Sequence, residues 1–297
     1  MKRFIVLVII MLVACSFSSV AKTNLYNPET ETIYTFNMDD DVPTWQVGNY
    51  WTYDVDTLTV QFNESGQLIN IDLNVNNLKL EVSSKVSDIY VIDVSGKITG
   101  SFLFDDGAGM KFAGNLYFTR FSGEIQLYQS NLSLDSGHLV LKSIALLREH
   151  PLSIPIPIPI PLTITVNVDN SMPRPFIDFP LFDGKMGVVA ESFVSANIKI
   201  ESIVLVILNM LKPDIPAEIY FEQSMDVPEL LYNATVEDVT VYPGTFSAYN
   251  IGFFEGLLGA VYYAPTVGNF IKAFAELNLE DSIYFKFNGE LKEYNYS

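Results

Sequence analysis

Apolar and polar residues alternate with a period of two along most of the chain after residue 45. Between residues 69 and 75 every odd position is apolar, whereas between 78 and 82 every even position is apolar. Such alternation is typical of strands with one buried face. Because a one-residue slip moves side chains to the opposite face, the pattern predicts a β-bulge at Asn76 and Asn77.

Further strands are predicted over residues 90–94, 98–104, 111–119, 124–128 and 139–147. Turn residues separate them at 105–107 (DDG) and 135–137 (DSG). Near the end of the chain, Asn288 and Gly289 between two strand patterns predict a tight type I′ hairpin. Many strands joined by short turns indicate an antiparallel meander.

Four Ile-Pro pairs occupy residues 154–161 and lead into an alternating segment that ends at Val168. Branched aliphatic residues hold every even position from 154 to 168, which predicts one strand with one apolar face. Alternate residues direct their N–H groups to the same edge, so all four prolines remove donors from one edge. We therefore predict an edge strand that pairs on one side only. Its residues are Ile154, Pro155, Ile156, Pro157, Ile158, Pro159, Ile160 and Pro161.

Residues 201–212 (ESIVLVILNMLK) are apolar on nearly every side and are followed by Pro213. Their length, the acid at the start and the lysine at the end favour a helix, with a buried strand as the alternative. A helix that is apolar all round has to be enclosed. The predicted fold class is therefore mainly β: a strongly curved antiparallel sheet, a half-barrel or open barrel, wrapped around one short buried apolar helix.

The first 21 residues have the features of an export signal. Lys2 and Arg3 precede an apolar run over residues 4–13, which is shorter than the about 20 residues that span a bilayer. Residues 12–15 (LVAC) also resemble a bacterial lipobox, so Cys15 is a candidate lipid-attachment site. Cleavage after Ala21 predicts a freely exported protein, whereas lipidated Cys15 predicts a membrane-tethered one. Either way we expect no transmembrane span in the mature chain and a location in the periplasm, outer membrane or cell surface.

The formal net charge of −18 predicts repulsion of phosphate backbones, which argues against nucleic-acid binding. The acidity is not a sign of disorder, because 49% of the residues are hydrophobic. The two histidines, His138 and His150, lie in separate segments, and the common catalytic and metal-binding motifs are absent from the sequence. We therefore expect no catalytic set, no metal and no cofactor.

An apolar cavity is the one kind of site that the pattern indicates. Aromatic residues are frequent over 246–287, and the apolar segment at 201–212 is the other apolar feature. Ordinary core packing is the alternative for each residue taken alone. The candidate residues that line an apolar-ligand site are Ile203, Val204, Ile207, Met210, Leu211, Tyr262 and Tyr263.

Three stretches resemble a broad, uncharacterised family of exported bacterial and archaeal β-proteins. Residues 45–51 (WQVGNYW) are similar to its W-x-V-G-x-x-W-x-Y strand, and residues 179–185 (FPLFDGK) to its F-P-L-x-x-G-K element. Residues 239–251 (VTVYPGTFSAYNI) and 262–269 (YYAPTVGN) are similar to its G-T-F-x-A-Y and Y-Y-x-P-x-V-G hairpin pair. The chain departs from the family where Pro243 is displaced by one position and where Met186 replaces an expected Trp.

The resemblance extends from residue 45 to about residue 272 and implies a curved sheet with a concave apolar face, similar to periplasmic lipoprotein-carrier half-barrels. It also marks residues 190–232 as an insertion that carries the apolar helix. The predicted organisation is an export signal over 1–21, a polar spacer over 22–44 and a single β domain over 45–297.

The leading functional hypothesis is a non-enzymatic, exported cell-envelope protein that binds an apolar small molecule or an envelope protein in its curved sheet. The first alternative is a structural or adhesive surface protein with a filled core and no ligand. The third is a carboxylate-dependent hydrolase, because 35 Asp and Glu residues bring some carboxylates close together in any fold.

Overall fold

The structure of the protein is a computed structural model. It describes residues 42–64, 66–105, 107, 111–149, 158–175, 177–211, 213, 217–227, 229–253, 258–279 and 283–297. The predicted export signal with Cys15, most of the spacer, and Ile154, Pro155, Ile156 and Pro157 lie outside these residues.

The described residues form fourteen strands and one helix, which confirms the predicted mainly β class. The strands are β1 (Tyr50–Glu64), β2 (Gln67–Val86), β3 (Ile89–Asp105), β4 (Lys111–Tyr128), β5 (Leu134–Glu149), β6 (Ile158–Asn170), β7 (Met186–Val189), β8 (Ser192–Glu201), β9 (Glu218–Val227), β10 (Leu230–Val241), β11 (Gly244–Phe253), β12 (Leu258–Ala264), β13 (Asn269–Leu279) and β14 (Ile283–Asn295). The helix is α1 (Ile203–Leu211).

All of these strands belong to one antiparallel sheet, in the order β7-β10-β11-β12-β13-β14-β1-β2-β3-β4-β5-β6-β8-β9. Consecutive strands are mostly neighbours, as expected for a meander. β1 pairs with both β2 and β14, which places the first and last strands side by side in the middle of the sheet. β7 and β9 stand at the two ends of the order, so the described strands form an open sheet.

A β-bulge corrects the apolar phase within β2. The register between β2 and β3 shifts between Asn76 and Lys79. Asn77 has a φ of 52°, in the left-handed region that asparagine tolerates better than most residues. Val75 and Leu78 are consequently both buried in the same core. The bulge predicted at Asn76 and Asn77 is confirmed.

Bulges also join segments that the alternation predicted as separate strands. Register shifts in the β3–β4 and β4–β5 pairs let β3 run for 17 residues and β4 for 18. A shift of register keeps the apolar residues on one face while the strand continues, so a break in the pattern is not a break in the strand.

The hairpin predicted at Asn288 and Gly289 is wrong. Both residues lie within β14, where Gly289 pairs with Val55 on one side and with Ala273 on the other. Hydrogen-bonded pairing on both sides outweighs the local preference of Asn-Gly for a turn, because strand preference depends strongly on neighbours.

The main core lies on one face of the sheet, whereas a second core cluster that includes Tyr249 lies on the other face, since the adjacent Ala248 belongs to the main core. In β6, Val166 and Val168 are buried whereas Asn167 and Asp169 are exposed, and we call the face of Val166 the inner face. Cross-strand pairs extend this face to both sides, since Val166 is opposite Leu139 of β5 and Ile198 of β8. All three belong to the main hydrophobic core.

α1 follows directly after β8, and its exposed side is apolar. Ile203, Ile207 and Met210 are 57%, 49% and 76% exposed, and their i, i+4, i+7 spacing places them on one side of the helix. The prediction of a short buried helix wrapped by the sheet is therefore wrong. The last β8 pair is at Glu201, so the chain leaves the sheet before α1 begins and the helix lies beside it.

The prolines of β6 decide where β8 stops. β6 pairs with β5 from Ile158 onward but with β8 only from Thr163 onward, so residues 158–161 have a strand neighbour on one side among the described residues. Ser202 Oγ donates to Pro161 O at 2.8 Å, which places this edge of β6 next to the end of β8. Because Pro161 has no N–H to offer there, the ladder ends and the chain continues as α1. Over residues 158–161, the described part of the predicted edge strand, β6 therefore pairs on one side only, whereas from Thr163 onward it is an interior strand between β5 and β8.

Candidate functional site

The inner face is apolar and half-exposed at one end of the sheet. We call this end the proline end, because β6 begins there with its prolines. β1, β3 and β5 end at it, and β2, β4 and β6 begin at it. Its half-buried inner side chains are Ile69, Ile71, Phe102, Phe104, Leu116, Ile160 and Leu162. We refer to this set as the apolar lining.

Strand register makes the lining continuous across five strands. Ile71 of β2 is opposite Phe102 of β3, and Ala145 of β5 lies between Leu116 of β4 and Ile160 of β6. Neighbouring strands are about 4.8 Å apart, so the lining is about 19 Å wide. An apolar surface of this kind costs free energy while it faces water and gains free energy when an apolar partner covers it.

The opposite end of the inner face, which we call the tryptophan end, is sealed by aromatic rings. The Trp45 ring lies 4.8 Å from the Trp51 ring and 5.3 Å from the Tyr90 ring, and all three side chains are buried. Trp45 Nε1 donates to Gly268 O and Trp51 Nε1 donates to Val267 O, each at 2.8 Å. Each indole therefore has its hydrogen bond satisfied, so the rings are fixed in place.

The three stretches that carry the family resemblance meet at and beside the tryptophan end. The indoles of the first stretch bond to the backbone of the third at Val267 and Gly268. Phe179 of the second stretch packs edge-on against Tyr263 of the third, with ring centroids 5.1 Å apart. The third stretch therefore contacts both of the others, and these contacts lie away from the apolar lining.

A buried ion pair holds the loop that precedes β7. The Lys185 side chain is 7% exposed, and Lys185 Nζ lies 3.1 Å from Asp178 Oδ2. Lys185 Nζ also donates to the carbonyl oxygens of Asp178 and Pro180, while Asp178 N donates to Tyr232 Oη at 3.0 Å. Burial lowers the pKa of Lys185, and the nearby Asp178 carboxylate opposes that effect. With its donors directed at protein oxygens, Lys185 acts as a structural anchor.

Buried tyrosines predict a loss of stability in alkali. Burial raises the pKa of Tyr53 above its ordinary value and that of Tyr232 to about 12. Below about pH 10 both phenols are neutral in the folded and unfolded chains; above it the unfolded chain ionises first, so folding becomes less favourable. Lys185 has the opposite effect on the free energy of unfolding up to about pH 10.5. Its pKa is lowered in the folded chain, so the unfolded chain binds more protons there and the free energy of unfolding rises with pH.

We expect the free energy of unfolding to fall by up to about 1.4 kcal/mol per pH unit for each buried phenol between about pH 10 and 12. Urea titrations followed by circular dichroism at about pH 9, 10 and 11 measure this change. The variant Tyr53→Phe should show a shallower fall over the same interval. A free energy of unfolding that stays constant across the interval contradicts the prediction.

A second cleft lies on the outer face of the sheet, between β6, α1 and the start of β9. It has a volume of about 410 Å³ and is lined by Pro161, Thr163, Glu201, Ser202, Ile203, Val206, Ala217 and Glu218. Two carboxylates therefore share this cleft. Lys199 Nζ lies 3.1 Å from Glu201 and 2.8 Å from Glu218, and both acids are about half-exposed. One ammonium group therefore contacts both acids of the cleft.

The structure separates the residues that were predicted to line an apolar site. Ile203, Ile207 and Met210 are on the exposed side of α1 at the β9 edge, while the side chains of Val204 and Leu211 lie outside the described residues. Tyr263 is in the second core cluster and Tyr262 packs against the main core, both from β12. No single site joins the helix residues to the tyrosines among the described parts of the chain.

The apolar lining was missed at the sequence level, except for Ile160. Its other members look like ordinary core residues in the sequence, because alternation alone does not show which end of a strand is covered. One usable signal was present: the parity of the proline strand already placed Ile160 and Leu162 on one apolar face.

No family model, curated protein or solved structure matches the chain. Within the described ranges, no helix is both long and apolar enough to cross a membrane. The same ranges contain no group of three or more His, Cys, Asp or Glu side chains arranged to hold a metal ion.

Proposed function

We propose that the protein is a non-enzymatic, exported cell-envelope protein that binds an apolar molecule on the inner face of a strongly curved antiparallel sheet. The observation that carries this proposal is the difference between the two ends of that face. Buried indoles close the tryptophan end, whereas Phe102, Phe104 and Leu162 are only partly buried at the proline end. An apolar face that is closed at one end and partly exposed at the other suits a ligand that enters lengthwise.

Bulges and glycines support a curved, half-barrel shape. Gly100, Gly114 and Gly123 lie on the inner face of β3 and β4, opposite Leu73, Leu147 and Leu139 respectively. An added Cβ on each would lie within 2.1–2.2 Å of a neighbouring backbone oxygen. Glycine kinks and bulges are the usual means by which a sheet bends. A bent sheet explains how residues from β6 and β13, far apart in the strand order, share one core.

The chemistry of the lining supports binding rather than catalysis. Its side chains are Ile, Leu and Phe, which have no group for proton transfer or nucleophilic attack. Burial of apolar area contributes about 25 cal/mol per Å², while association carries a cost of roughly 4–15 kcal/mol that depends little on ligand size. Because the gain from burial grows with apolar area whereas the cost of association does not, the free energy of binding favours a long apolar molecule over a small one.

The export signal supports a location outside the cytoplasm, and Cys15 supplies a membrane tether if it is lipidated. Mass spectrometry of the intact mature protein tests this part of the proposal. A diacylglyceryl group on Cys15 indicates a tethered protein, whereas a chain that begins at Lys22 indicates a freely exported one. A mature chain that retains residue 1 contradicts export by this segment.

Binding can be tested with 1-N-phenylnaphthylamine, an uncharged fluorophore that brightens in apolar surroundings. We expect it to bind the wild-type protein, and Phe102→Asn to weaken binding by about 5- to 30-fold, since about 1–2 kcal/mol of apolar contact is lost. Ser101→Asn is the matched control, because Ser101 is the neighbouring residue on the exposed outer face.

Equal affinities of the Phe102→Asn and Ser101→Asn variants contradict binding at the lining. If the folded wild-type protein also binds no fluorophore, and organic extraction of the purified protein yields no lipid, the structural or adhesive alternative with a filled core is favoured instead.

A further inference from the structure

Ser143 is a polar residue within the apolar inner face. It belongs to β5 and is 3% exposed. Its inner-face neighbours along the strand are Leu141 and Ala145. Across the strands it is opposite Phe118 of β4 and Leu162 of β6. The Ser143 side chain therefore lies beside the apolar lining, with apolar side chains on every side.

Among the described residues, the Ser143 hydroxyl has no hydrogen-bond partner. Leaving a buried hydroxyl unpaired is unfavourable, and most buried polar groups are paired. The apolar pattern of β5 does not account for a serine at position 143, because the neighbouring inner positions are occupied by Leu and Ala. A serine in such a position has a donor and an acceptor available for a molecule that covers the lining.

We propose that Ser143 Oγ is the polar contact of the apolar-ligand site and that it donates a hydrogen bond to an uncharged acceptor, the carbonyl oxygen of a long-chain ester. This inference rests on the proposed function and specifies its ligand class. The Ser143 hydroxyl is buried, so one of its half-buried neighbours Leu141, Phe118 and Leu162 has to change rotamer to admit the carbonyl.

The charge of the site selects an uncharged head group over a carboxylate. The four inner-face neighbours of Ser143 are all apolar, so an anion there has no cation to pair with. Burying an unpaired carboxylate is far more costly than burying an ester carbonyl that receives one hydrogen bond. The net charge of −18 also opposes an approaching anion.

The test compares two uncharged ligands of similar length, methyl decanoate and tridecane, as competitors of bound 1-N-phenylnaphthylamine. We expect Ser143→Ala to weaken the binding of methyl decanoate by about three- to ten-fold and to leave the binding of tridecane unchanged, because only the ester has a hydrogen-bond acceptor. Ser143→Thr keeps a hydroxyl and should retain part of the ester affinity. Ser95→Ala, an exposed serine on the outer face of β3, is the matched control.

Ser143→Ala is also expected to raise the midpoint of urea unfolding, since it removes an unpaired buried hydroxyl. The variant should therefore fold, and loss of ester binding cannot be attributed to loss of structure. If Ser143→Ala weakens both competitors equally or neither, the role assigned to Ser143 is wrong while apolar binding stands. Tighter binding of decanoate than of methyl decanoate to the wild-type protein also overturns it. If the folded wild-type protein binds neither the fluorophore nor the two uncharged competitors, the proposed function itself fails.

Discussion

Replacing Lys185 with alanine is expected to lower the free energy of unfolding by about 3–5 kcal/mol, because it leaves the largely buried Asp178 carboxylate, which is 18% exposed, without its partner. The same substitution removes the ammonium group that ties the carbonyl oxygens of Asp178 and Pro180 together. Urea titration followed by tryptophan fluorescence measures the change, since both tryptophans lie at the sealed end of the sheet.

Lys286→Ala is the matched control for this substitution. Lys286 Nζ is 3.5 Å from Glu276, but both side chains are nearly half-exposed, so solvent screens the pair and the expected loss is under about 1 kcal/mol. The double variant Lys185→Met, Asp178→Asn removes both charges and should lose less stability than Lys185→Ala. Losses of equal size in Lys185→Ala and Lys286→Ala contradict the anchoring role of Lys185.

Replacing Trp51 with alanine is expected to lower the free energy of unfolding by about 3–5 kcal/mol. The Trp51 side chain is 0% exposed, packs against Trp45 with the two rings tilted, and donates to Val267 O in the turn between β12 and β13. Its removal leaves a cavity and an unpaired carbonyl at the tryptophan end. Far-UV circular dichroism during urea unfolding is the suitable measurement, because the substitution also removes a fluorophore.

Two further variants separate the causes of that loss. Trp51→Phe keeps an aromatic ring but has no indole N–H, so its free energy of unfolding should fall by less than that of Trp51→Ala. Tyr242→Ala is the surface control, since Tyr242 is 80% exposed in the β10–β11 turn and its loss should stay within about 0.5 kcal/mol. A Trp51→Ala variant as stable as Tyr242→Ala shows that the tryptophan end does not depend on Trp51.

Local sequence patterns predicted local features of the fold well. The phase change between residues 69–75 and 78–82 predicted a bulge, and Asn77 has the backbone conformation of one. The same kind of evidence failed at Asn288 and Gly289, where strands from both sides of β14 determine the conformation. A bulge is decided by a few adjacent residues, whereas a hairpin depends on which strands are available to pair.

The candidate site was predictable only in part. The apolar segment at 201–212 contains a helix, but the sequence could not show that the helix lies beside the sheet instead of inside it. Its exposed residues Ile203, Ile207 and Met210 have the composition of core residues. Ser143 is equally inconspicuous in the sequence, because a serine within a strand is usually directed to solvent, and only the strand register assigns it to the inner face.

The amino-acid pattern alone predicts the mainly β class, the apolar faces of β2 and β6, and the edge that Pro159 and Pro161 leave without donors. These depend on residues within a few positions of each other. The tertiary structure decides which strands are neighbours, which end of the inner face is sealed and which polar groups become buried. The bond that closes the tryptophan end joins Trp45 to Gly268, which are 223 residues apart. No local pattern carries information about a contact over that separation, because it arises from the pairing of β14 with β1 and of β13 with β14.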